Sequence, residues 1–392
     1  MEKDTIIHII TRLEPGGSTQ NTVASCLYQS KYYRVILIAG AGFTPTEKLP
    51  DNFKLITLPS LSRELSFFKD IKAFKDIYSV ISKYKPKIVH THTSKAGILG
   101  RWGAAFHNLI NRKEKTIIVH TPHGHVFYGY FGLIKTFIFK QIEKITAKLT
   151  DYFIALTYGE RNESAHFGIG NKKKWTVIHS GVRFNTNLYP KAKAEFEFAE
   201  GEIIIGTVAR LEYVKGIEYF VRAAGELLRK KLPITLKFLV IGGGEFKDSL
   251  IKLAQDEGLG DKIIFTGFQA DVYKSMAAMD IYIQPSLNEA MGRTIIQAQY
   301  MKLPVIASKV CGIRDLIEEG ENGFLIAPKD YKALANATET LIKDSHKRRQ
   351  LGENAQKFIM EKDYTGYGKF SEHSMNIKLK DFYDKILPYG NN

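Results

Sequence analysis

The sequence predicts an α/β protein made of two doubly wound parallel sheets, and three observations carry that expectation. Short apolar runs alternate with segments of helical spacing, the pattern of parallel strands joined by crossover helices. The alternation breaks around residues 180–200, where Gly181, Asn185, Asn187 and Pro190 stand among charged residues, and then begins again. At 392 residues the chain is long for one hydrophobic core and suits two. The expected organisation is a first domain at 1–183, a linker at 184–200, a second domain at 201–365 and a helical tail at 366–392. Two such domains would face each other across a central ligand cleft.

In the first half, strand-like runs fall at Ile6–Arg12, Arg34–Ala39, Lys54–Leu58, Ile88–Thr93, Thr116–His120, Tyr152–Leu156 and Trp175–His179. Helical segments between them include Ser18–Ser30, Phe67–Lys83 and Leu133–Leu149. The first turn, Glu14 to Ser18, is glycine-rich and opens a helix, but it lacks the G-x-G-x-x-G spacing of a nicotinamide site. Gly16 and Gly17 instead allow another group to approach the backbone.

Charge is unevenly placed. Residues 1–183 hold 27 Lys and Arg against 13 Asp and Glu, a net +14, while residues 184–392 hold 29 against 28. A basic first half implies an anionic partner, nucleic acid or an anionic lipid surface. No helix-turn-helix, zinc finger or RNP motif is readable, which disfavours nucleic acid. Two segments combine aromatics with lysines: Leu65–Tyr84, with Lys69, Lys72 and Lys75, and Tyr130–Leu149, with Lys140, Lys144 and Lys148 as an i,i+4 stripe. Each alone reads as a core-facing helix with a solvated lysine face. With the net charge, the pair also suits a helix lying at an anionic membrane surface.

The N-terminal apolar run is too short for a signal peptide, and no 18-residue apolar stretch follows, so a cytoplasmic, non-spanning protein is expected. Cys26 and Cys311 form no disulfide or zinc pattern. Histidines gather at two strand ends: His90 and His92, then His120, His123 and His125. A metal cluster is one reading. No Asp or Glu accompanies either group and the chain has no Asp-x-Asp triplet, so imidazoles that hydrogen-bond a polar ligand are the expectation, with no metal.

The second half repeats the alternation from Ile203 onward, and its strand ends carry the chemical signals. Arg210 follows one strand, with Lys215-Gly216 at the next helix start, an arrangement that suits a diphosphate. Gly242-Gly243-Gly244 ends the next strand, and Thr266-Gly267-Phe268 the one after, where backbone groups can face a flat base. Gln284–Gln297 then runs from a strand through Pro285 and Ser286 into a helix. Glu289 sits at that junction. It is either an acid that complements the helix dipole or an acceptor for the hydroxyl groups of a sugar.

In order, VARLEYVKG (208–216), VIGGGE (240–245), FTGF (265–268), PSLNEAMGRTIIQA (285–298), LPVIAS (303–308) and ENGFLI (321–326) resemble the retaining GT-B glycosyltransferases of family 4. In the first half, THTSKAGILGRW (91–102) and HTPHGHVFYGY (120–130) are similar to members that build bacterial surface polysaccharides. The resemblance implies the GT-B fold, no metal or other cofactor, a nucleotide-sugar donor taken as UDP-linked, and a lipid-diphosphate-linked or other glycan acceptor. It implies a peripheral position on the inner face of the cell membrane. It implies that Arg210 and Lys215 hold the donor diphosphate, that Glu289 binds donor-sugar hydroxyls beside Met291 and Gly292, and that Gly267 and Phe268 lie near the base. Gly16 and Gly17 would face the diphosphate and sugar, and His123 would contact the sugar. Two departures stand out. Gln297 occupies the position of the family's second glutamate, which accepts hydrogen bonds from the ribose; Ser180 and Arg183 replace the usual Asn and Asp near the linker. The alternatives are a nucleotide-sugar epimerase on the same fold and a non-catalytic glycan- or membrane-binding relative.

Overall fold

The computed structural model describes residues 3–14, 16–42, 49–124, 132–187, 189–190 and 192–387. Pro15, His125, Tyr130 and Phe131, which figured in the sequence reading, lie outside the described residues. Among the described residues the chain forms two compact units, one of residues up to 181 together with those from 372 onward, the other of residues between 182 and 371.

The first unit runs β1 (Thr5–Ile10), α1 (Gly17–Gln29), β2 (Arg34–Ala39), β3 (Phe53–Thr57), α2 (Phe67–Tyr84), β4 (Ile88–His92), α3 (Ser94–Ile110), β5 (Ile117–Thr121), α4 (Leu133–Ala147), β6 (Tyr152–Ala155), α5 (Tyr158–His166) and β7 (Trp175–Val177). Its strands are all parallel, in the order β3-β2-β1-β4-β5-β6-β7. Both faces are covered, so β1 and β2 are apolar along most of their length, and β4 is buried throughout although it carries His90, Thr91 and His92. On one face Ile7, Ile9, Ile36 and Ile38 pack with Ala73, Ile77 and Ile81 of α2 and Ala96 and Ala104 of α3. On the other, Ile6, Ile10, Val35 and Leu37 pack with Met375, Leu379, Phe382 and Tyr383. Those four belong to the last helix of the chain, which also lies against α1.

The second unit runs α6 (Ala192–Glu195), β8 (Ile203–Val208), α7 (Ile217–Arg229), β9 (Leu236–Ile241), α8 (Lys247–Asp256), β10 (Ile263–Gly267), α9 (Val272–Met276), β11 (Ile281–Gln284), α10 (Arg293–Tyr300), β12 (Val305–Ser308), β13 (Gly323–Ile326), α11 (Tyr331–Lys343) and α12 (Ser345–Met360); α13 (Glu372–Ile386) is the returning helix of the first unit. Its sheet is also parallel, in the order β10-β9-β8-β11-β12-β13. β8 and β11 are neighbours although far apart in sequence, so the order reverses beside β8. At such a point the loops after adjacent strands leave in opposite directions and open a crevice. The loops carrying Lys215 and Glu289 follow these two strands.

Two expectations about helix faces are corrected. α2 buries Ala73, Ile77 and Ile81 but leaves Phe67 and Phe68 74% and 82% exposed. α4 buries Glu143, Thr146 and Ala147 and leaves Leu133 and Ile134 91% and 78% exposed. The aromatic and aliphatic residues at the N-terminal ends of both helices are therefore not core. The lysine stripe on α4 is also not wholly turned to solvent. Lys140 and Lys144 are half-buried, with Lys140 Nζ 4.3 Å from the Phe167 ring centre, and only Lys148 is exposed.

Candidate functional site

In the second unit the site is made by two loops locked together. Gly216 has φ +62°, and a Cβ there would lie 2.2 Å from the Pro285 carbonyl oxygen. Glycine therefore lets the loop after β8 press against the loop after β11. The Leu287 N–H donates to the Val214 oxygen at 2.8 Å and completes the lock. Lys215 and Glu289 are thereby brought together, Nζ to Oε1 at 2.6 Å, with the side chains 20% and 13% exposed.

Three donors converge on that same oxygen. Besides Lys215, Ser286 Oγ donates to Glu289 Oε1 at 3.0 Å and Gln284 Nε2 at 3.3 Å. Gln284 is itself fixed: its Nε2 donates to Ser286 Oγ at 2.7 Å, and its Oε1 accepts from Tyr282 at 2.6 Å and Thr294 at 3.0 Å. The buried Tyr282 phenol is pushed up in pKa by burial and stays a neutral donor. None of the three bonds to Glu289 reaches Oε2. The carboxylate is thus held by one oxygen with the other presented, which suits recognition of hydroxyl groups.

The other residues expected in this half fall at neighbouring strand ends. Arg210 follows β8, half exposed, with Nη1 3.1 Å from Glu212. Gly267 closes β10 at φ +73° and accepts from the Gly242 N–H at 2.9 Å, so the glycine run after β9 and the end of β10 meet backbone to backbone. Phe268 follows, 68% exposed. Met291 is buried, and Gly292, at φ +75°, starts α10.

Gln297 lies on α10 beside the Tyr273 phenol, which donates to the Arg183 carbonyl at 2.9 Å. Positions 183 and 297, the two departures from the family pattern, thus both lie by Tyr273. Phe184 stacks on Tyr300 with ring centres 4.6 Å apart and holds the same segment to α10.

In the first unit the candidate side chains lie along β1 and β4 and in the turn after β5. β1 pairs with β4 with His8 opposite His90. Side chains alternate along a strand, so His8, His90 and His92 emerge on one face. His92 Nδ1 lies 3.0 Å from His123 Nε2. His123 has φ +58°, a costly conformation for a residue with a Cβ. Two contacts hold it: the one to His92, and a hydrogen bond from the next N–H, Gly124, to Glu160 Oε1 at 2.7 Å. Glu160 Oε2 accepts from the Leu156 N–H at 2.7 Å. Burial raises the Glu160 pKa to about 7, against the opposite pull of these two N–H groups. Burial also lowers His8 to about 3, and burial together with neighbouring imidazoles holds His90 and His92 well below the usual histidine range. Gly16 and Gly17 stand at the start of α1, where a Cβ on Gly16 would meet nothing within 4 Å. His120 faces the other side of the sheet, bonded to Thr91 Oγ1 at 2.9 Å.

Tyr282, Thr294, His8, Glu160 and Tyr383 were not singled out from the sequence. Thr294 sits inside the 285–298 motif and Tyr282 just before it, and their role comes from holding Gln284; His8, Glu160 and Tyr383 lie in elements with no local motif. The alternation of His8 with Ile7 and Ile9 was the one available signal, a polar residue inside an apolar strand.

The family model of glycosyltransferase family 4 matches residues 22–185, and that of glycosyl transferases group 1 matches residues 189–358. The chain belongs to glycosyltransferase family 4. This glycosyltransferase is 28% identical over 324 residues to the UDP-Gal:alpha-D-GlcNAc-diphosphoundecaprenol alpha-1,3-galactosyltransferase of Escherichia coli, covering 81% of this chain and 82% of that one. It is 25% identical over 339 residues to the capsular polysaccharide biosynthesis glycosyltransferase CapM of Staphylococcus aureus, covering 83% and 84%. Sucrose-phosphate synthase from Thermosynechococcus elongatus has a similar structure, with a TM-score of 0.82 at 21% identity over 98% of this chain and 99% of that chain. The enzyme thus has the GT-B fold and is related to glycosyltransferases of bacterial surface-polysaccharide synthesis.

Proposed function

We propose that the enzyme transfers a sugar, with retention, from a UDP-linked donor to a lipid-diphosphate-linked or other glycan acceptor in surface-polysaccharide synthesis. The observation that carries the reading is the convergence of Lys215, Ser286 and Gln284 on one oxygen of Glu289. Glu289 Oε2 accepts from donor-sugar hydroxyls. Lys215 keeps two further N–H groups for the diphosphate, and Arg210 adds a second cation. In the reaction the bond from the anomeric carbon to the phosphate oxygen breaks. The bond to the acceptor oxygen forms on the same face, and the acceptor's proton passes to the leaving phosphate. The two cations offset the charge that develops there, so the reading needs no metal. The UDP-linked donor and diphosphate-linked acceptor in the name of the Escherichia coli relative support this choice of substrates. The basic first half and the apolar side chains exposed on α2 and α4 support a peripheral place at an anionic membrane.

The test has two stages. Among UDP-, GDP- and ADP-sugars, a UDP-sugar is expected to raise the melting temperature, since a ligand that binds only the folded state stabilises it. Acceptor-dependent UDP release is then compared in wild type, Glu289→Ala and Lys215→Ala. Each variant is expected to lose about 100-fold or more, the scale of removing one transition-state contact, while staying folded. Normal turnover by either variant sinks the assignment; UDP release or isomerisation of the donor without any acceptor points to an epimerase.

A further inference from the structure

Buried imidazoles and one phenol form an unbroken file in the first unit. From His123 Nε2 it passes to His92 Nδ1 at 3.0 Å, and from His92 Nε2 to His8 Nδ1 at 2.9 Å. His8 Nε2 lies 3.4 Å from the Tyr383 oxygen, which lies 2.6 Å from His90 Nδ1. His90 Nε2 ends the file at Thr121 Oγ1, 2.8 Å away. His8, His90, His92 and Tyr383 are at most 2% exposed. One buried histidine in a sheet needs no explanation beyond packing. Here all six ring nitrogens of three histidines are partnered, and the partners join into a single line.

Burial keeps the three rings neutral, so each carries one proton. A neutral imidazole donates from one nitrogen and accepts at the other. The file then has two consistent settings, with every proton pointing towards His123 or every proton pointing away. A mixed setting would leave two lone pairs or two N–H groups facing each other in the core. The distances at Tyr383 choose between the two. A 2.6 Å contact is typical of an O–H donor and short for N–H, so the phenol donates to His90 Nδ1. Its oxygen must then accept from His8 Nε2–H, at the longer 3.4 Å. His8 Nδ1 accepts from His92 Nε2–H, and His92 Nδ1 accepts from His123 Nε2–H.

We propose that this file fixes His123 as its Nε2–H tautomer, with Nδ1 as the hydrogen-bond acceptor, so that His8, His92 and Tyr383 are positioning residues for the site. Resting on the reading of His123 as a donor-sugar contact, His123 accepts a hydrogen bond from a sugar hydroxyl and does not donate one to a phosphate oxygen. His8, His90 and His92 also bring ring nitrogens within 4.8 Å of one another, close enough to share a metal ion. Their nitrogens already have hydrogen-bond partners, and no carboxylate among the described residues joins the cluster, so a buried dication there would be uncompensated.

The test is long-range proton–nitrogen NMR on the full chain labelled with ¹⁵N-histidine. His8, His90, His92 and His123 are expected to show the Nε2–H pattern at neutral pH. In His92→Asn, whose side-chain oxygen falls near the place of Nδ1, His123 keeps that pattern. In His92→Leu it loses it, and donor turnover falls about 10- to 100-fold, the usual scale for losing a partner that orients a histidine. A purely structural role predicts the opposite order, because leucine suits an apolar core better than asparagine does. The proposal is overturned if wild-type His123 carries its proton on Nδ1, if His92→Leu leaves its tautomer unchanged, or if equimolar Zn²⁺ is retained with loss of the His8, His90 and His92 signals. Expected tautomers in a protein inactive on every nucleotide sugar would sink the proposed function and leave the file standing.

Discussion

Glu160 and the buried histidines pull the pH dependence of stability in opposite directions. Glu160 has a folded-state pKa of about 7, raised from an ordinary 4.5 by burial. The folded protein therefore holds a proton that the unfolded chain has lost, and this group's contribution falls as pH rises from about 4.5 to about 7. His8, His90 and His92 are the reverse case. Their folded pKa values lie below 6.5, so the unfolded chain binds protons that the folded one excludes, and stability falls as pH drops below 6.5. Burial lowers His107 in the same direction, so four histidines oppose one glutamate. The expectation is acid destabilisation below pH 6.5, each net proton contributing about 1.4 kcal/mol per pH unit. Glu160→Gln removes the opposing group and steepens that slope. Urea unfolding between pH 5 and 8 measures it, and an unchanged slope in the variant would show that Glu160 is ionised throughout. The same substitution places an amide N–H against the N–H of Gly124 or Leu156. The His123 turn should therefore loosen, and donor turnover should fall even at pH 8, where the charge difference no longer affects the slope.

At the scale of elements, the site in the second unit depends on how closely two loops approach. Gly216→Ala would put a Cβ 2.2 Å from the Pro285 oxygen, at a backbone φ of +62°. The left-handed conformation alone costs about 1 kcal/mol for a residue with a Cβ, and the clash forces the loops apart and breaks the contact between Lys215 and Glu289. Gly258→Ala is the matched control, because Gly258 has φ +73° with nothing within 4 Å of a Cβ. Both variants should lose similar stability from backbone strain, but only Gly216→Ala should lose turnover by tenfold or more. Equal losses of turnover would mean that the close approach does not position Lys215. The two parallel sheets were legible in the sequence because each strand is a short apolar run bounded by turn residues. The strand-end positions of Arg210, Lys215, Gly267 and Glu289 were legible for the same reason. The bond between Lys215 and Glu289 was not legible, since 74 residues separate them and only the adjacency of β8 and β11 brings them together. The pairing of His8 with His90 was hidden for the same reason. Gln297 read only as a departure at the family's ribose-binding position; that it neighbours Tyr273 needs the fold to be seen.

For the whole molecule, the question is why its surface keeps so much apolar area where the core does not use it. α2, α3 and α4 stand side by side on one face of the first sheet. The pair α2 and α3 is joined through Phe106, which contacts Phe74 and Tyr78. α3 and α4 are joined by the buried Arg101–Glu143 ion pair at 2.8 Å and by Trp102 Nε1 donating to Thr146. Helical spacing alone could not tell a core stripe from an exposed one, so the periodic residues of α2 and α4 were first read as core. In the structure Phe67, Phe68, Leu133 and Ile134 are each at least 74% exposed, with Lys69, Lys72 and Lys75 beside the first two. No helix among the described residues is long and apolar enough to cross a membrane. A lipid surface of negative charge fits these aromatics and aliphatics together with the +14 of residues 1–183. Replacing Phe67, Phe68, Leu133 and Ile134 with serine should leave thermal stability nearly unchanged, because none is part of the core. Partitioning onto vesicles containing phosphatidylglycerol should fall by tenfold or more, since each side chain contributes about 1.5–3 kcal/mol when fully buried. Binding by the wild type should also weaken as salt rises from 50 to 500 mM, roughly the range over which surface charges become screened. If the quadruple variant bound vesicles as well as the wild type, these helices would not be the docking face. If the wild type sedimented as a dimer and the variant as a monomer, the exposed residues would instead be the contact between two copies of the chain.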